Sequence, residues 1–269
     1  MERVENISGM LPSVRLVILG IFWLQIISAF IIFIITKNNL IETKFGTRYT
    51  QEEIVFDPSE TQRLKFTRKI VPVLRDDRRQ EPNLSLPAEV TTGLEFKIVR
   101  LDEIGTGVLA SGSIEVGDYK KFVSFLKDNQ LEDISYVALN SPGGTVSEAI
   151  LLGEEIRMRK LTTLLSSGAF CFSSCPYVMA GGVKRVFSEH SLLGVHQHYY
   201  EDNFYLPIFF AVKSVQSGQA LTFQHLKKMG INTDVMEHIL STPPDEIYIF
   251  TARELSKYQF STEIKLYNS

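Results

Sequence analysis

The sequence lacks an excess of charge of either sign, and it contains no internal repeat and no low-complexity tract. Its 28 lysine and arginine residues are nearly balanced by 31 aspartate and glutamate residues, which gives a formal net charge of −3. Basic residues interleaved with aromatic ones are also missing, so the sequence does not indicate a nucleic-acid-binding protein. Cysteine is scarce: the 269 residues include two, Cys171 and Cys175.

A long uncharged segment lies near the N-terminus, from Leu16 to Thr36. Apart from Thr36 itself, only Gln25 and Ser28 interrupt its apolar character. At 1.5 Å per residue, 21 helical residues span about 30 Å, the thickness of a hydrocarbon core. A cleaved signal peptide would have a shorter apolar region and would end in a small-x-small cleavage site. Ser28-Ala29-Phe30 lies in the middle of the apolar segment, and Thr36-Lys37-Asn38 is not such a site. The pattern predicts an uncleaved transmembrane anchor at 16–36, preceded by a short tail at 1–15.

Positive charge does not fix the orientation of this anchor. Arg3 and Arg15 precede it, and Lys37, Lys44 and Arg48 follow it closely. Because the positive-inside rule depends on an asymmetry between the two flanks, the soluble part can face either compartment on this criterion.

Residues 37–92 resemble a spacer. A dense charge cluster runs from Arg75 to Arg79, and two short apolar segments, Ile54–Phe56 and Ile70–Leu74, suggest a hairpin or a small subdomain. The prolines scattered through the segment are Pro58, Pro72, Pro82 and Pro87.

Residues 93–262 alternate strand-like and helix-like patterns, and 263–269 form a C-terminal tail. The predicted strands are Phe96–Leu101, Gly107–Gly112, Ile134–Leu139, Leu161–Leu165, Arg185–Phe187 and Leu192–Val195. The predicted helices are Asp118–Leu126, Val146–Met158, Cys175–Met179, Leu206–Met229, Thr233–Leu240 and Ala252–Tyr258. This alternation predicts one α/β domain with a mainly parallel sheet. Active sites in such folds lie at the carboxyl ends of strands.

A Ser-Pro-Gly-Gly turn stands at one of these strand ends, inside the segment 139–149. Pro142 presets φ, while Gly143 and Gly144 allow backbone conformations that a Cβ forbids. A turn of this kind at a helix N-terminus presents backbone N–H groups that can hold an oxyanion. The alternative is an ordinary tight turn between a strand and a helix.

Two serines follow a later strand and precede a helix. Pro176 fits the first turn of that helix, where its missing N–H is not needed. A serine at this position can present its Oγ to a cleft, or it can simply cap the helix. With Ser173 and Ser174 adjacent, one can be a nucleophile and the other a cap or an oxyanion neighbour.

His196 ends another strand, and a histidine is the usual general base for a serine. Taken alone, it is equally a structural histidine. Asp245 and Glu246 follow two prolines and precede an apolar run, so either carboxylate can orient an imidazole or merely occupy a turn.

Taken together, these motifs resemble the Clp protease proteolytic subunit and the wider crotonase-like superfamily. The resemblance covers about residues 96–260 and excludes the anchor and the spacer. It is closest to a group of membrane-anchored or periplasmic Clp-like proteins with a Cys-x-Ser-[Ala/Ser]-Cys motif. The matching segments are Asn140–Val146, Cys171–Cys175, Ala180-Gly181 with Arg185, Val195–Gln197 and Phe250–Glu254 with Tyr258.

The resemblance implies a Clp/crotonase-like fold of repeated ββα units and assigns roles to single residues. Ser173 becomes the nucleophile, with Ser174 as the alternative, and His196 becomes the general base. The Gly144 and Ser174 N–H groups become the oxyanion hole, which Gly143 supports. The family's aspartate aligns near 245–247, where Asp245 is the first choice and Glu246 the second.

Several alternatives concern the groups around the serine. Cys171 and Cys175 can form a disulfide in an oxidising compartment, or they can be two small buried residues. Together with His196 and His198, they also form a set that zinc can use. A lysine base, as in membrane signal-peptide peptidases, would have to be Lys120 or Lys121.

The sequence therefore predicts a membrane-anchored Clp-like serine peptidase that needs no cofactor or metal. Its soluble domain is expected in the periplasm, tethered to the inner membrane, with peptides or proteins as substrates. The pattern at Leu206–Met229 suggests a homo-oligomer, whereas an ATP-driven unfoldase is not implied because no docking segment is visible. The main alternative is a catalytically silent Clp-fold domain that binds peptides or assembles at the membrane. An acyl-CoA enzyme ranks third.

Overall fold

A computed structural model describes residues 14–42, 63–66, 90–102, 104–131, 133–188, 190–197 and 208–265. The chain divides into two compact units, residues 1–49 and residues 50–269.

The described part of the N-terminal unit is one helix, α1 (Val14–Glu42). Its stretch Leu16–Ile34 is 19 residues long and has no side chain buried in the protein. This stretch spans about 28 Å and is apolar enough to cross a membrane. The predicted apolar helix is therefore confirmed. An N-terminal signal sequence has the same length and composition, so the helix does not define the topology of the chain.

The second unit is an α/β structure with two mixed sheets. Its strands are β1 (Arg63–Lys65), β2 (Glu95–Leu101), β3 (Gly105–Ser111), β4 (Tyr136–Asn140), β5 (Thr162–Leu165), β6 (Phe170–Phe172), β7 (Arg185–Ser188), β8 (Leu192–Val195), β9 (Glu246–Ile249) and β10 (Glu263–Lys265). Its α-helices are α2 (Asp118–Asp128), α3 (Val146–Met158), α4 (Cys175–Ala180), α5 (Ile208–Lys228), α6 (Met236–Ser241) and α7 (Ala252–Lys257), and a 3₁₀ turn, Thr233–Val235, precedes α6.

The larger sheet has six strands in the order β10-β7-β5-β4-β3-β2. Within the described residues, four of its five pairings are parallel and the β2–β3 pairing is antiparallel. All five residues of β4 are buried, as expected for a central strand covered on both faces. This sheet agrees with the prediction of a mainly parallel arrangement. It also includes β10, from a segment predicted to be a tail.

The smaller sheet has four strands in the order β1-β9-β8-β6. Strand β6 pairs with β8 in parallel, whereas β9 is antiparallel to both β8 and β1. This sheet is therefore mixed. Strand β1 comes from the predicted spacer, but not from the apolar segments expected to form a hairpin, because Ile54–Phe56 and Ile70–Leu74 lie outside the described residues.

Helices α3, α4 and α5 meet at a junction that requires small residues. A Cβ added to Gly181 would lie 2.3 Å from the carbonyl oxygen of Gly153. One added to Gly153 would lie 2.6 Å from the carbonyl oxygen of Tyr177 and 3.1 Å from the His225 ring. Glycine is thus needed for α3 and α4 to approach this closely. Helix α4 is thus packed closely against α3.

Arg185 joins the C-terminal segment to the larger sheet. Its buried guanidinium donates hydrogen bonds of 2.8–3.0 Å to the carbonyl oxygens of Gly182, Gln259 and Phe260. Burial lowers the pKa of Arg185 to about 10, so the group stays charged at neutral pH. Carbonyl groups thus take the place of a carboxylate as partners of this buried cation.

His225 of α5 provides a test of this packing. The ring is 3 % exposed, and its Nε2 lies 2.9 Å from the carbonyl oxygen of Tyr177. A carbonyl only accepts, so Nε2 carries the proton. Nδ1 has no hydrogen-bond partner within the described part of the chain. Burial is the main cause that lowers the pKa of His225, because a charged ring would be poorly solvated there.

We expect His225 to make the folded protein less stable at mildly acidic pH. The unfolded chain binds a proton at this ring below about pH 6.5, whereas the folded chain resists it, so stability falls as pH drops below that value. The slope is at most about 1.4 kcal/mol per pH unit for one proton. Urea unfolding of wild type and His225→Gln between pH 7.5 and 5 tests this. The variant should lose less stability across the range, and equal slopes would contradict the assignment.

Candidate active site

Three strand ends meet at one edge of the second unit. Strands β6 and β8 are parallel neighbours, with Phe172 opposite Gly194. The residue after β4, Ser141, forms a parallel bridge with Cys171. The turns that follow β4, β6 and β8 therefore lie side by side. These turns contain the Gly143-Gly144 pair, the Ser173-Ser174 pair and His196, respectively.

Ser173 occupies a tight turn between β6 and α4. Its φ is 60°, in the left-handed region that costs a residue with a Cβ about 1–2 kcal/mol. Two backbone bonds hold the turn: the Ser173 N–H donates to the Gly194 carbonyl oxygen at 3.0 Å, and the Phe172 N–H donates to that of Ser141 at 3.0 Å. A serine on a strained strand–turn–helix junction is also the geometry of the nucleophile elbow in α/β-hydrolases. The Ser173 side chain is half-buried, so a substrate can reach it.

Ser174 differs from its neighbour in exposure. It is 1 % exposed, and its hydroxyl is fully buried without a hydrogen-bond partner among the described residues. It stands at the N-cap position of α4, but its side chain makes no capping bond. A hydroxyl that solvent cannot reach is a poor nucleophile for an external substrate. Accessibility therefore favours Ser173 over Ser174.

The two glycines of the β4 turn have different surroundings. A Cβ on Gly143 would lie 2.5 Å from the Phe172 carbonyl oxygen, 2.6 Å from the Ser173 Cβ and 2.8 Å from the Ser174 nitrogen. A Cβ on Gly144 would lie 2.1 Å from the carbonyl oxygen of Ile114. Gly143 therefore contacts the serine turn, and Gly144 packs against the segment that follows β3.

The backbone N–H groups of the two turns differ in whether they donate a hydrogen bond. The Gly143 N–H donates to the Ser141 Oγ at 3.1 Å. In the described part of the chain, the N–H groups of Gly144 and Ser174 form no hydrogen bond. These are the two groups that the resemblance assigns to an oxyanion hole, and both remain available as donors.

His196 follows β8 directly and is 7 % exposed. Its ring centroid lies 5.4 Å from that of Phe66. Beyond it, the Gln197 N–H donates to the Thr242 carbonyl oxygen at 2.9 Å, and the Gln197 Nε2 donates to the carbonyl oxygen of Leu240 at 2.6 Å. The histidine is thus fixed between its strand and the end of α6. Within the described part of the chain, no hydrogen bond joins the Ser173 hydroxyl to the His196 ring.

The predicted third member of the site, Asp245, lies in the turn that leads into β9. Asp245 is exposed in the turn before β9, and its carbonyl oxygen accepts the Phe66 N–H at 2.8 Å. Strand β9 pairs with β8 so that Val195 faces Tyr248, and the next pair in this register is His196 and Ile247. Ile247 is 2 % exposed and belongs to an apolar cluster.

Neither candidate carboxylate is hydrogen-bonded to His196 in the described contacts. Glu246 is half-buried and pairs with Lys65 of β1. Because side chains alternate along a strand, Glu246 points to the face opposite Ile247. The roles given to Asp245 and Glu246 therefore remain predictions.

Cys171 and Cys175 form a disulfide with their Cα atoms 5.2 Å apart. Both residues are fully buried, and the bridge encloses the turn that contains Ser173 and Ser174. Its formation takes both thiolates away from the alternative zinc set. His198, the last member of that set, lies outside the described residues.

The lysine alternative also has little support. The Lys121 ammonium donates a hydrogen bond to the Leu94 carbonyl oxygen and lies 5.9 Å from the centroid of the Phe96 ring. This lysine is thus engaged with the segment that leads into β2.

The sequence did not predict the contact between Phe66 and His196. The Phe66 ring packs against His196 and lies 5.9 Å from the Phe172 ring at an interplanar angle of 86°. The sequence signal for strand β1 is the alternation of the apolar residues Leu64 and Phe66 with two basic residues. Four residues are too few for a confident strand assignment.

No protein-family model and no curated protein matches this chain. The resemblance to the Clp protease proteolytic subunit therefore rests on the residue pattern, and the activity that it implies remains to be tested.

The close approach at Gly143 leads to a testable substitution. Gly143→Ala places a methyl group into the backbone of the serine turn, at φ 92°. Gly117→Ala is a matched control, because Gly117 has φ 98° and nothing within 4 Å of an added Cβ. Both variants incur the left-handed cost of about 1 kcal/mol, but only Gly143→Ala adds about 1–3 kcal/mol of overpacking. Thermal unfolding should show the difference, and equal losses would contradict the described contact.

Proposed function

We propose that this chain is a membrane-anchored serine hydrolase with a Clp/crotonase-like fold, acting as a peptidase. The observation that carries the proposal is the half-buried Ser173 with φ 60° on a strand–turn–helix junction. It lies beside the Gly143-Gly144 turn and next to the strand that ends at His196. A nucleophile, a base and two unpaired N–H donors are the parts that acyl transfer needs.

The order of elements supports the fold part of this proposal. Strand–strand–helix units occur at β2-β3-α2, β5-β6-α4 and β7-β8-α5. The second strand of the last two units joins the smaller sheet, while the first joins the larger one. Repeated ββα units with this division are what the resemblance implies for a Clp/crotonase-like fold.

In the proposed reaction, His196 removes the hydroxyl proton of Ser173 as the Oγ attacks the carbonyl carbon of a peptide bond. The carbonyl oxygen becomes an oxyanion that accepts hydrogen bonds from the Gly144 and Ser174 N–H groups. The C–N bond then breaks, and the leaving amine takes the proton from His196. Water, deprotonated by the same histidine, attacks the carbonyl carbon of the acyl-enzyme, the bond from that carbon to the Ser173 Oγ breaks, and His196 returns the proton to Oγ.

The location of the domain is proposed from its disulfide. Disulfides persist in oxidising compartments and are rare in the cytosol. The Cys171–Cys175 bridge therefore supports a soluble domain on the periplasmic side of the inner membrane, with α1 as the anchor. Both cysteines of the sequence take part in this bridge.

The redox state of the cysteines in cells tests this location. Cells are lysed in denaturant with an alkylating reagent, and the mass of the chain is compared with and without prior reduction. The expected result is no alkylation before reduction and two alkylated cysteines after it. Two alkylated cysteines without reduction would place the domain in a reducing compartment.

Association of several copies is proposed from the exposed face of α5. Val212 and Phe223, which helical spacing places on the same side of α5, are 50 % and 40 % exposed, respectively. Apolar side chains on one long helix are suited to contact a second copy of the chain. This agrees with the homo-oligomer that the resemblance implies.

A second candidate function is a catalytically silent Clp-fold domain that binds peptides or assembles at the membrane. The specific observation in its favour is the third position of the triad. Ile247, an apolar residue, is in register with His196, and Asp245 is exposed in a turn. Because the third carboxylate mainly orients the base, its absence lowers the rate without removing the chemistry.

A fluorophosphonate probe distinguishes the two functions in the detergent-solubilised full chain. We expect labelling of wild type, no labelling of Ser173→Ala and labelling of His196→Ala that is slower by about 10²–10⁴-fold. Ser174→Ala is the matched control, since the neighbouring hydroxyl is buried, and it should keep its label.

Each departure from this pattern has a defined meaning. Labelling that persists in Ser173→Ala but disappears in Ser174→Ala would make Ser174 the nucleophile in place of Ser173. No labelling of folded wild type would contradict the hydrolase and leave the silent binding domain.

A further inference from the structure

Strand β1 adds an element from the predicted spacer to the candidate site. It pairs with β9 in antiparallel register, from Arg63 opposite Tyr248 to Lys65 opposite Glu246. The pairing continues through the hydrogen bond from the Phe66 N–H to the Asp245 carbonyl oxygen. Leu64 and Phe66 both pack into the apolar cluster of the smaller sheet, while the basic residues between and before them are exposed.

Phe66 is unusually well buried for the end of so short an edge strand. It is 5 % exposed, and its ring contacts two aromatic neighbours on different strands. One is His196, after β8, at a centroid distance of 5.4 Å, and the other is Phe172, at the end of β6, at 5.9 Å. Phe172 immediately precedes Ser173. A single side chain therefore touches the candidate base and the residue before the candidate nucleophile.

We propose that Phe66 is a positioning residue for His196. Its ring forms a wall against the imidazole, which limits the rotation of the His196 side chain at the edge where the Ser173 turn lies. Misplacement of a reacting group by about 1 Å can reduce a rate about 10²-fold. Strand register places His196 opposite Ile247. A rigid apolar neighbour such as Phe66 can hold the imidazole in place at this position. The rate effect rests on the proposed function, whereas the contact itself does not.

The first test compares Phe66→Ala with Leu64→Ala in the detergent-solubilised full chain. Leu64 is the matched control because it lies on the same strand and packs into the same cluster. It has no aromatic ring that could form a wall against His196. Fluorophosphonate labelling is measured over a range of probe concentrations, which separates the maximal rate from the probe concentration at half-maximal rate. Rates are corrected for the folded fraction of each variant.

We expect Phe66→Ala to lower the maximal labelling rate by about 10- to 100-fold, with the half-maximal concentration changed by less than about twofold. Leu64→Ala should stay within about twofold of wild type for both. A merely structural role of Phe66 predicts a lower unfolding temperature with an unchanged rate per folded molecule, and that result would overturn the proposal. Equal rate losses in the two variants would also overturn it.

Phe66→Leu guards against a variant that does not fold. Leucine keeps most of the buried apolar volume, so the fold should be retained while the flat ring is lost. We expect a maximal labelling rate between those of wild type and Phe66→Ala. A Phe66→Leu rate equal to wild type would show that apolar volume, and not an aromatic wall, is what the site requires.

The second test does not depend on serine reactivity. The ring signals of ¹³C-labelled histidine are recorded by NMR, and His196 is assigned by their loss in His196→Gln. In Phe66→Ala the His196 signal should move, because the neighbouring aromatic ring is gone, and broaden, because the imidazole samples more orientations. In Leu64→Ala it should stay in place.

The two tests separate the proposals. If wild type is not labelled, the hydrolase proposal fails, and the histidine spectrum still decides whether Phe66 holds His196. If wild type is labelled but the His196 signal is the same in Phe66→Ala, the hydrolase stands and the positioning role is overturned.

Discussion

The parallel pairing of β6 with β8 places the candidate nucleophile and the candidate base at one edge of the smaller sheet. Parallel strands end at the same edge of a sheet, so the residues that follow them become neighbours. Here the register places Phe172 opposite Gly194, and the bond from the Ser173 N–H to the Gly194 carbonyl oxygen extends it by one residue. Ser173 and His196 are brought to one edge by this pairing, although 22 residues of sequence separate them.

The serine turn is then constrained from three directions. Gly143 packs against its backbone on the β4 side, where no larger residue fits. The Cys171–Cys175 disulfide links the two ends of the turn. The close packing of α3 and α4 at Gly153 and Gly181 fixes the helix that follows the turn. A left-handed serine persists only when its surroundings over-determine it. These constraints explain how a conformation that is unfavourable for an isolated residue becomes the folded one.

Sequence patterns predicted the elements that have strong periodicity or long apolar runs. Strand β4 and helix α3 were recognisable because one is continuously apolar and the other has helical spacing. The turn chemistry of Gly143, Gly144 and Pro176 similarly indicated the strand-to-helix junctions. The short strands β1, β6 and β10 were missed or only implied, because three residues define no period and their pairing depends on distant partners.

The choice among the three candidates for the predicted third position depends on strand register, which the sequence does not reveal. Asp245, Glu246 and Ile247 are consecutive, and a shift of one residue in the register of β9 would exchange which of them faces His196. That register is set by pairing with β8 and β1, which no local pattern reveals. The same holds for Phe66, whose contact with His196 exists only because β1 occupies the free edge of β9.

The pairing of β1 with β9 also has a consequence for the time at which the site is completed during synthesis. Arg63 and Tyr248 are partners, yet all the strands and helices from β2 to α6 lie between them in the sequence. Pairing across such a sequence separation is slow and comes late in folding. A nascent chain can carry Ser173 and His196 while the wall that Phe66 forms is still absent. The edge strand that carries Phe66 therefore gains its partner only once β9 has been synthesised.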